Sequence, residues 1–348
     1  MKALVAVGHH VTVVSAGPGV IGHSVVDLEG IQHHVLTTGA LTAPGRVLRF
    51  LRAAARYAVN LEPDVISCRD LDTLAAGIWV RRRWKELRRV KVVYDMHEVY
   101  SMMVKDAIPL FVARRLDAYE RKLLPEVDLA LPSDDGRRDW LVRQGYRGPA
   151  PVILNCRNPA SSIFPFPGRP KILSYTGTLH TNRFIREMVE AMDHIDATLV
   201  IAGPDAEGGK WNKYLRDVAS KNPRIQFLGH LTPAKSLEVL GRSHVSIQMA
   251  DPENELNRMG PYNRLFDSMS VGRAVLATEG TANGNIVKGL RMGLTSIYDR
   301  AAYTAAVNLM LNETDQVFEM GLNGLKACLE KFNWDSQAKR LTEAYERL

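Results

Sequence analysis

Arg264 and Asp267 stand about one helical turn apart at the head of the segment Pro261–Ala277, PYNRLFDSMSVGRAVLA. The segment reads as a loop, then an amphipathic helix from Asn263 with Leu265, Phe266 and Met269 on its apolar side. Gly272 follows where a helix would stop, and Ala274–Ala277 is a short apolar run. A loop entering a helix N-terminus presents free backbone N–H groups and the positive end of the helix dipole, which together favour an anion. A guanidinium there, beside a carboxylate able to accept from hydroxyls, suits a sugar nucleotide. The same residues equally suit an ordinary strand–helix turn with surface charges.

Three further clusters place ionisable side chains at the ends of apolar runs. In Val92–Tyr100 (VVYDMHEVY), Asp95, His97 and Glu98 follow a buried-strand pattern. A histidine there can take a hydroxyl hydrogen bond or relay a proton, because imidazole titrates near neutrality, or it is satisfied by local backbone. In Ser174–Met192 (SYTGTLHTNRFIREMVEAM) the strand ends at Gly177, where backbone can approach a ligand closely, and Arg183 opens the next helix. That guanidinium suits a bidentate phosphate contact, or is an exposed helix-start arginine. In Ser67–Gly77 (SCRDLDTLAAG), Asp70 or Asp72 is placed to cap the following helix, with an acceptor contact as the alternative.

The fourth feature is basic. Arg46, Arg49, Arg52 and Arg56 recur at three- and four-residue spacing in Arg46–Asn60, with Leu48, Leu51 and Ala55 across from them, and Arg81–Arg89 is a second basic run. Such a helix lies against an anionic membrane surface, or is a solvated face over a core stripe. Nucleic acid is the weaker reading, because aromatics do not interleave with the cations and no binding motif is present.

These side chains need a scaffold that gathers strand ends. Strand-like and helix-like stretches alternate throughout, which predicts an α/β fold with parallel sheets. Strands are expected at His10–Ser15, Gln32–Leu36, Asp64–Ser67, Lys91–Asp95, Leu129–Pro132 and Val152–Asn155, with helices such as Arg46–Asn60, Asp72–Arg89 and Leu110–Leu124 between them. The Pro-rich segment Arg157–Pro170 reads as a linker. Beyond it, strands at Lys171–Thr176, Ala197–Ala202, Gln226–Leu228 and Val245–Met249 alternate with helices at Arg183–Met192, Trp211–Lys221 and Ala234–Leu240. Trp334–Leu348 closes the chain as a helix with Ala338, Leu341 and Tyr345 on one face. Two doubly wound domains in tandem leave a cleft at their boundary and bind ligands outside the carboxyl ends of their strands.

Composition agrees with two cores: 348 residues, 46% of them hydrophobic. No run approaches the ~20 apolar residues of a membrane span, and the N-terminus lacks a signal-peptide pattern. Cys68, Cys156 and Cys328, odd in number and far apart, read as reduced core thiols of a cytoplasmic protein. The net charge of +7 is concentrated in residues 1–168, where 23 Lys/Arg face 17 Asp/Glu, and this points to an anionic partner for that half.

Taken in order, these segments resemble glycosyltransferase family 4, whose GT-B fold sets two Rossmann-like doubly wound domains facing each other, over nearly the whole chain. PYNRLFDSMSVGRAVLA is similar to the family's P-N-K-L-F-E-x-M-A-x-G-x-P-V, with Asn263 and Arg264 at N-K and Asp267 at the second acid of E-x7-E. GTLHTNRFIREMVEA resembles G-R-L-x-x-x-K-G-x-x-x-L-I-E-A, with Gly177 and Arg183 at the Gly and Lys positions. Asp70–Leu74 followed by Tyr94–Glu98 resembles the H-D-x-x-T-L and Y-D-x-H-E pair of one branch, and VILNCRNP and WDSQAKRLTEAYERL also fit.

The resemblance implies a retaining, metal-independent transferase that moves a sugar from a nucleotide donor to a cell-surface glycan or glycolipid precursor. Residues 1–160 would bind the acceptor and residues 161–330 the donor, and 331–348 would cross back to the first domain. Gly177, Arg183 and Arg264 would hold the diphosphate, with Thr178, Asn263 and Leu265 beside them. Gly229 and Leu231 would flank the base, and Asp267 would bind the ribose or the nucleotide end. His97 would touch the donor sugar or reacting centre, with Asp70, Asp95 and Glu98 on the acceptor side. Front-face displacement, with the leaving phosphate taking the acceptor proton, is the implied mechanism. No cofactor is implied, and the location is cytoplasmic, peripheral at the inner membrane face.

Several positions depart from the pattern. Thr178 replaces an Arg, Arg69 replaces the His of H-D, and Met259 replaces the first acid of E-x7-E, with Glu253 or Glu255 as candidates to take over its contact. MKALVAVGHHVTVVSAG matches the end of the family's first helix and its second strand, so the first strand and Gly-rich loop are missing from the match; a truncated reading frame is the expectation. These departures sustain a second reading, a non-catalytic sugar-nucleotide-binding subunit or truncated inactive relative. A third, a GT-B epimerase, needs acid/base carboxylates that the sequence does not single out.

Overall fold

Branched apolar runs become strands here, and the polar or Gly-containing residues after them become the turns that carry the site. The structure, a computed structural model, describes residues 1–16, 24–27, 30–37, 44–84, 89–104, 108–160 and 164–348. For residues 24–26, 37, 44 and 46 it describes the backbone alone. The chain divides into two units, Met1–Leu154 with Gln337–Leu348, and Asn155–Ser336.

The first unit opens with α1 (Lys2–Ala6) and then β1 (Thr12–Ala16), β2 (Ser24–Val26) and β3 (Gln32–Thr37). These strands form a sheet in the order β1-β3-β2, with β1 parallel and β2 antiparallel to β3. After α2 (Pro44–Asn60), β4 (Val65–Arg69), α3 (Asp70–Trp84), β5 (Lys91–Met96), α4 (Tyr100–Val104), α5 (Leu110–Leu123), β6 (Leu129–Pro132) and α6 (Asp135–Arg143) follow. Strands β4-β5-β6 make a separate, fully parallel sheet. Its centre is dry, with Val92, Val93 and Tyr94 fully buried, while β4 exposes Ser67 and Arg69. Among the described residues no ladder joins β1 to β4.

Val152–Asn155, expected as a strand, is not one. It runs beside β6 and gives that strand one bond, Ile153 N–H to Pro132 O at 3.0 Å, while Leu154 N–H turns to Gln337 Oε1 at 3.0 Å. Pro149 and Pro151 just before it have no N–H to donate, so no ladder can start there.

α5 buries Glu120 completely against β5, where its Oε1 accepts from Tyr94 Oη at 2.6 Å and its Oε2 has no partner. Burial, reinforced by the charges of Asp117 and Asp70 and opposed by the Tyr94 bond, pushes this carboxyl up from 4.5 to about 7. The folded state therefore holds a proton that the unfolded chain releases at about 4.5. Stability from this group is full below about pH 4.5 and is lost as pH rises to about 7. Glu120→Gln should flatten that slope and stabilise the unit above neutrality by up to about 3 kcal/mol. Urea unfolding of both proteins across this range checks it, and parallel pH profiles would count against it.

The second unit holds β7 (Ile172–Thr176), α7 (Ile185–Ala191), β8 (Thr198–Ala202), α8 (Lys210–Lys221), β9 (Ile225–Phe227), α9 (Pro233–Gly241) and β10 (Val245–Gln248). Next come α10 (Glu255–Met259), α11 (Asn263–Ser270), β11 (Ala274–Thr278), α12 (Ala282–Leu290), β12 (Gly293–Ser296), α13 (Arg300–Asn312), α14 (Thr314–Glu330) and α15 (Trp334–Glu346). The latter part of α15, from Gln337, belongs to the first unit. One six-stranded sheet, β12-β11-β10-β7-β8-β9, is parallel throughout. An all-parallel sheet must be covered on both faces, and Leu173, Leu199, Ile201, Val245, Ile247 and Leu276 are buried accordingly. The parallel register puts every strand's carboxyl end on one edge.

The Pro-rich segment read as a linker is tied along this unit. Ala160 N–H reaches Ser270 O at 3.0 Å, and Asn158 Nδ2 donates to Asp335 Oδ1 at 2.9 Å. The Arg273 guanidinium donates to the carbonyls of Phe164 and Pro165 at 3.0 and 2.8 Å. Among the described residues no helix is long and apolar enough to cross a membrane.

Candidate anion-binding site and strand-end cluster

The carboxyl ends of β7, β8 and β9 meet through glycine. Gly177 N–H donates to Ala202 O at 2.9 Å, and Gly203 N–H to Gly229 O at 2.8 Å. A Cβ at Gly203 would stand 1.7 Å from Gly177 O, so no other residue fits. A Cβ at Gly177 would stand 3.2 Å from Arg264 Nη1 and 3.3 Å from its Cδ. The bare backbone of Gly177 thus lets the guanidinium lie directly against the strand end. Gly203 escaped the sequence reading; its signal was an Ala-Gly closing a second apolar run.

Arg264 comes from the first turn of α11 and is only 9% exposed. Its guanidinium lies 4.7 Å from the ring centre of Tyr175 and 5.0 Å from that of Tyr262. Arg183 stacks on the same Tyr262 ring at 3.9 Å. Both guanidiniums keep a buried nitrogen without a partner, Nη1 of Arg183 and Nη2 of Arg264. Buried N–H groups are nearly always paired. Two unspent donors on cations sharing one ring are a built place for an anion, and the uncapped start of α11 adds its dipole. Burial raises the Tyr262 phenol against the pull of the two arginines.

The helix expected to open at Arg183 does not. Thr181–Arg183 is a 3-10 turn, Phe184 takes a left-handed backbone (φ 59°), and α7 starts at Ile185. A left-handed phenylalanine is costly, and packing offsets it, since Phe184 is buried with its ring 4.7 Å from Tyr298 and 5.4 Å from Tyr303. The kink places Arg183 just before that break and over Tyr262.

A buried polar network holds Tyr262. Its hydroxyl bonds Asn257 Oδ1, and its N–H donates to Asn283 Oδ1 at 3.0 Å. Asn283 Nδ2 donates to Gln248 Oε1 at 2.7 Å, and Gln248 Nε2 donates to Ser268 Oγ at 3.0 Å and Arg264 O at 3.1 Å. Asn257 Nδ2 donates to Asp251 O at 2.7 Å, and Asp251 N–H to Asn182 O at 3.1 Å, next to Arg183. None of Tyr262, Asn257, Asn283 or Gln248 was singled out from sequence. They are single residues on separate elements, without spacing to betray them.

The remaining donor-side candidates sit as follows. Thr178 is exposed and its carbonyl accepts from Tyr175 Oη at 2.7 Å, which fixes the ring under Arg264. Gly229 and Leu231 lie just past β9, Gly229 with a left-handed backbone (φ 67°). Asn263 is exposed at the first position of α11. Leu265 is wholly buried and its N–H is taken by Tyr262 O at 2.9 Å, so it presents no donor outward. The Asp267 carboxylate accepts from Arg157 Nε at 2.5 Å; burial raises its pKa and Arg157 opposes the rise. Met259 is half-buried at the end of α10, with Glu253 and Glu255 exposed nearby.

In the first unit the strand-end residues divide into braces and an open pair. Asp70 caps nothing in α3. With a left-handed backbone (φ 58°), it sends Oδ1 across to the N–H groups of His97 at 2.8 Å and Glu98 at 3.0 Å. Asp72 accepts from the adjacent Thr73 N–H at 2.9 Å, which is not a cap. Glu98 is held by Arg137 Nη2 at 2.6 Å, and Arg137 also bonds Asp134, the cap of α6. His97 Nε2 and Asp95 Oδ1 lie 3.3 Å apart, and both are partly exposed. Asp70→Ala should cost the unit about 2–3 kcal/mol by stranding two amides, while Asp70→Asn keeps an acceptor and tolerates the left-handed backbone. Equal losses in chemical denaturation would sink that assignment.

Parallel sheets in both units, on a GT-B fold, define a glycosyltransferase. The chain matches glycosyltransferase models in both of its halves. Its residues 1–161 match the model of glycosyltransferase family 4, and residues 180–343 match a glycosyl transferase-like model. No curated protein matches it in sequence.

Among solved structures it is similar to a sucrose-phosphate synthase from Thermosynechococcus elongatus, at 17% identity and a TM-score of 0.78 over 99% of this chain and 90% of that one. It is also similar to a glycosyltransferase from Rickettsia africae, at 15% identity and a TM-score of 0.76 over 99% and 92%. A third is HepE from Anabaena in complex with UDP-glucose, at 13% identity and a TM-score of 0.70 over 92% and 87%.

Proposed function

We propose that this chain transfers a sugar from a nucleoside diphosphate donor to a glycan or glycolipid precursor of the cell surface, with retention of anomeric configuration. One observation carries it: the buried, unpartnered guanidinium nitrogens of Arg183 and Arg264 on the Tyr262 ring beside Gly177. A diphosphate takes both cations. As the sugar–phosphate bond breaks, charge builds on the leaving oxygen, and preorganised guanidiniums stabilise it without having to move. The departing phosphate then takes the acceptor's proton on the same face. His97 and Asp95 are assigned to the sugar and acceptor hydroxyls. Asp70 and Glu98 brace that loop rather than bind. The exposed Arg49, Arg52 and Arg56 of α2 are assigned to an anionic membrane surface; Arg46 shares the helix, its side chain outside the described residues.

Isotope-labelled transfer from a panel of UDP-, GDP- and ADP-sugars tests the reading, with UDP-glucose first because HepE is known in complex with it. Absence of transfer to every lipid-linked or glycan acceptor would count against it. A second reading, a sugar-nucleotide-binding subunit without turnover, is favoured by the engagement of Asp267 with Arg157 and by the outward placement of Glu253 and Glu255. Calorimetric donor binding without any product would establish it.

A further inference from the structure

The helix α5 carries two carboxylates and four cations, and the fold sorts them. Glu120 is fully buried and Asp117 has a buried oxygen, whereas Arg114, Arg115, Arg121 and Lys122 are all exposed. Between the cations stand large apolar side chains that a soluble helix normally hides: Leu110 at 62% exposure, Phe111 at 61% and Tyr119 at 46%. At 100° per residue, Leu110, Arg121, Arg114, Phe111, Lys122, Arg115 and Tyr119 fall in that order around one half of the helix. That half contains no acid. Arg115 reaches over Phe111, 5.9 Å from the ring centre. α4 packs against α5 and ends near Met103, which is half-exposed. An ordinary solvated face would alternate charges of both signs. A basic face with aliphatic and aromatic anchors instead matches the two parts of a lipid bilayer surface, phosphate headgroups and acyl chains.

We infer that the outer face of α5 docks this protein on an anionic lipid surface, Leu110 and Phe111 entering the acyl boundary and Arg114, Arg115 and Lys122 meeting lipid phosphates. The inference rests on this face alone and not on the donor chemistry. It differs from the α2 assignment in having anchors. The exposed arginines of α2 are accompanied by one exposed large apolar side chain, Leu48, so α2 supplies attraction without insertion. A single weak signal gives only marginal membrane binding, and the apolar anchors of α5 supply the second.

Flotation of the full chain with phosphatidylcholine vesicles, with and without phosphatidylglycerol, tests this. Binding is expected only to the mixed vesicles and should weaken with salt. Leu110→Ser with Phe111→Ser should weaken it about a hundredfold, from the loss of two buried apolar side chains. Each of Arg114→Gln, Arg115→Gln and Lys122→Gln should weaken it about fivefold. Phe111→Trp in an otherwise wild-type chain should show a blue-shifted emission on the mixed vesicles, the readout of insertion. Thermal midpoint and UDP affinity of the Leu110/Phe111 variant should match wild type, which separates this test from the donor reading. Failure to bind mixed vesicles, as expected of a face built for an acidic protein, would overturn the inference. So would wild-type binding by the Leu110/Phe111 variant, or equal binding to both vesicle types.

Discussion

Arg264→Ala should lower kcat/KM for sugar transfer by about 10²–10³-fold, the usual loss when one preorganised donor to a developing anion is removed. The physical basis is the burial of this guanidinium with Nη2 unspent, against the bare backbone of Gly177. Arg183→Ala should act in the same direction. The double variant should lose less than the product of the two, because both cations serve one diphosphate. Arg264→Lys should recover only part of the loss, since an ammonium cannot stack between Tyr175 and Tyr262 while keeping a planar fork. Tyr262→Phe keeps the stacking ring and loses the bond to Asn257, so it should be milder than Tyr262→Leu. Steady-state rates with calorimetric UDP affinities read all six. An Arg264→Ala protein within a fewfold of wild type would remove the cradle from the mechanism.

Arg273→Met should destabilise the second unit by about 3–5 kcal/mol, since several buried carbonyls lose their donor at about 1–3 kcal/mol each. This guanidinium is 2% exposed and has no carboxylate partner among its bonds. It donates instead to five carbonyls: Gly241 at 3.1 and 2.5 Å, Val271 at 3.3 Å, Gly272 at 3.1 Å, Phe164 at 3.0 Å and Pro165 at 2.8 Å. Burial without a counter-charge pulls its pKa down to about 10. Removing it strands those oxygens and releases the Pro-rich segment from the end of α9. Urea unfolding followed by Trp211 fluorescence should show the loss, and faster proteolysis near Phe164 should accompany it. A change under about 1 kcal/mol would mean that the carbonyls find other donors.

Much of the strand framework was legible because its signal is local. The runs Leu129–Pro132, Ile172–Thr176, Val245–Gln248 and Ala274–Thr278 are rich in apolar residues and buried on both faces, as parallel strands must be. β12 was missed because Gly-Leu-Thr-Ser has no such run, and it joins the sheet only because β11 offers a free edge. Val152–Asn155 misled for the converse reason, an apolar run next to prolines that deny it a ladder.

The cations Arg183 and Arg264 and the glycine Gly177 were also written in the residues, since each sits near the end of a periodic element. What those residues touch was not. Arg183 on Tyr262, Arg157 on Asp267, and Asp70 reaching from the start of α3 to the loop after β5 join positions about 27 to 110 residues apart. Sequence by itself determined the α/β class, the order of the strands along the chain and which charges stand at their ends, because these depend on neighbours within one turn or one strand. The tertiary structure alone decided which charges are spent on one another and which remain for a ligand, because that depends on burial and on partners that only the folded sheet brings within a few ångströms.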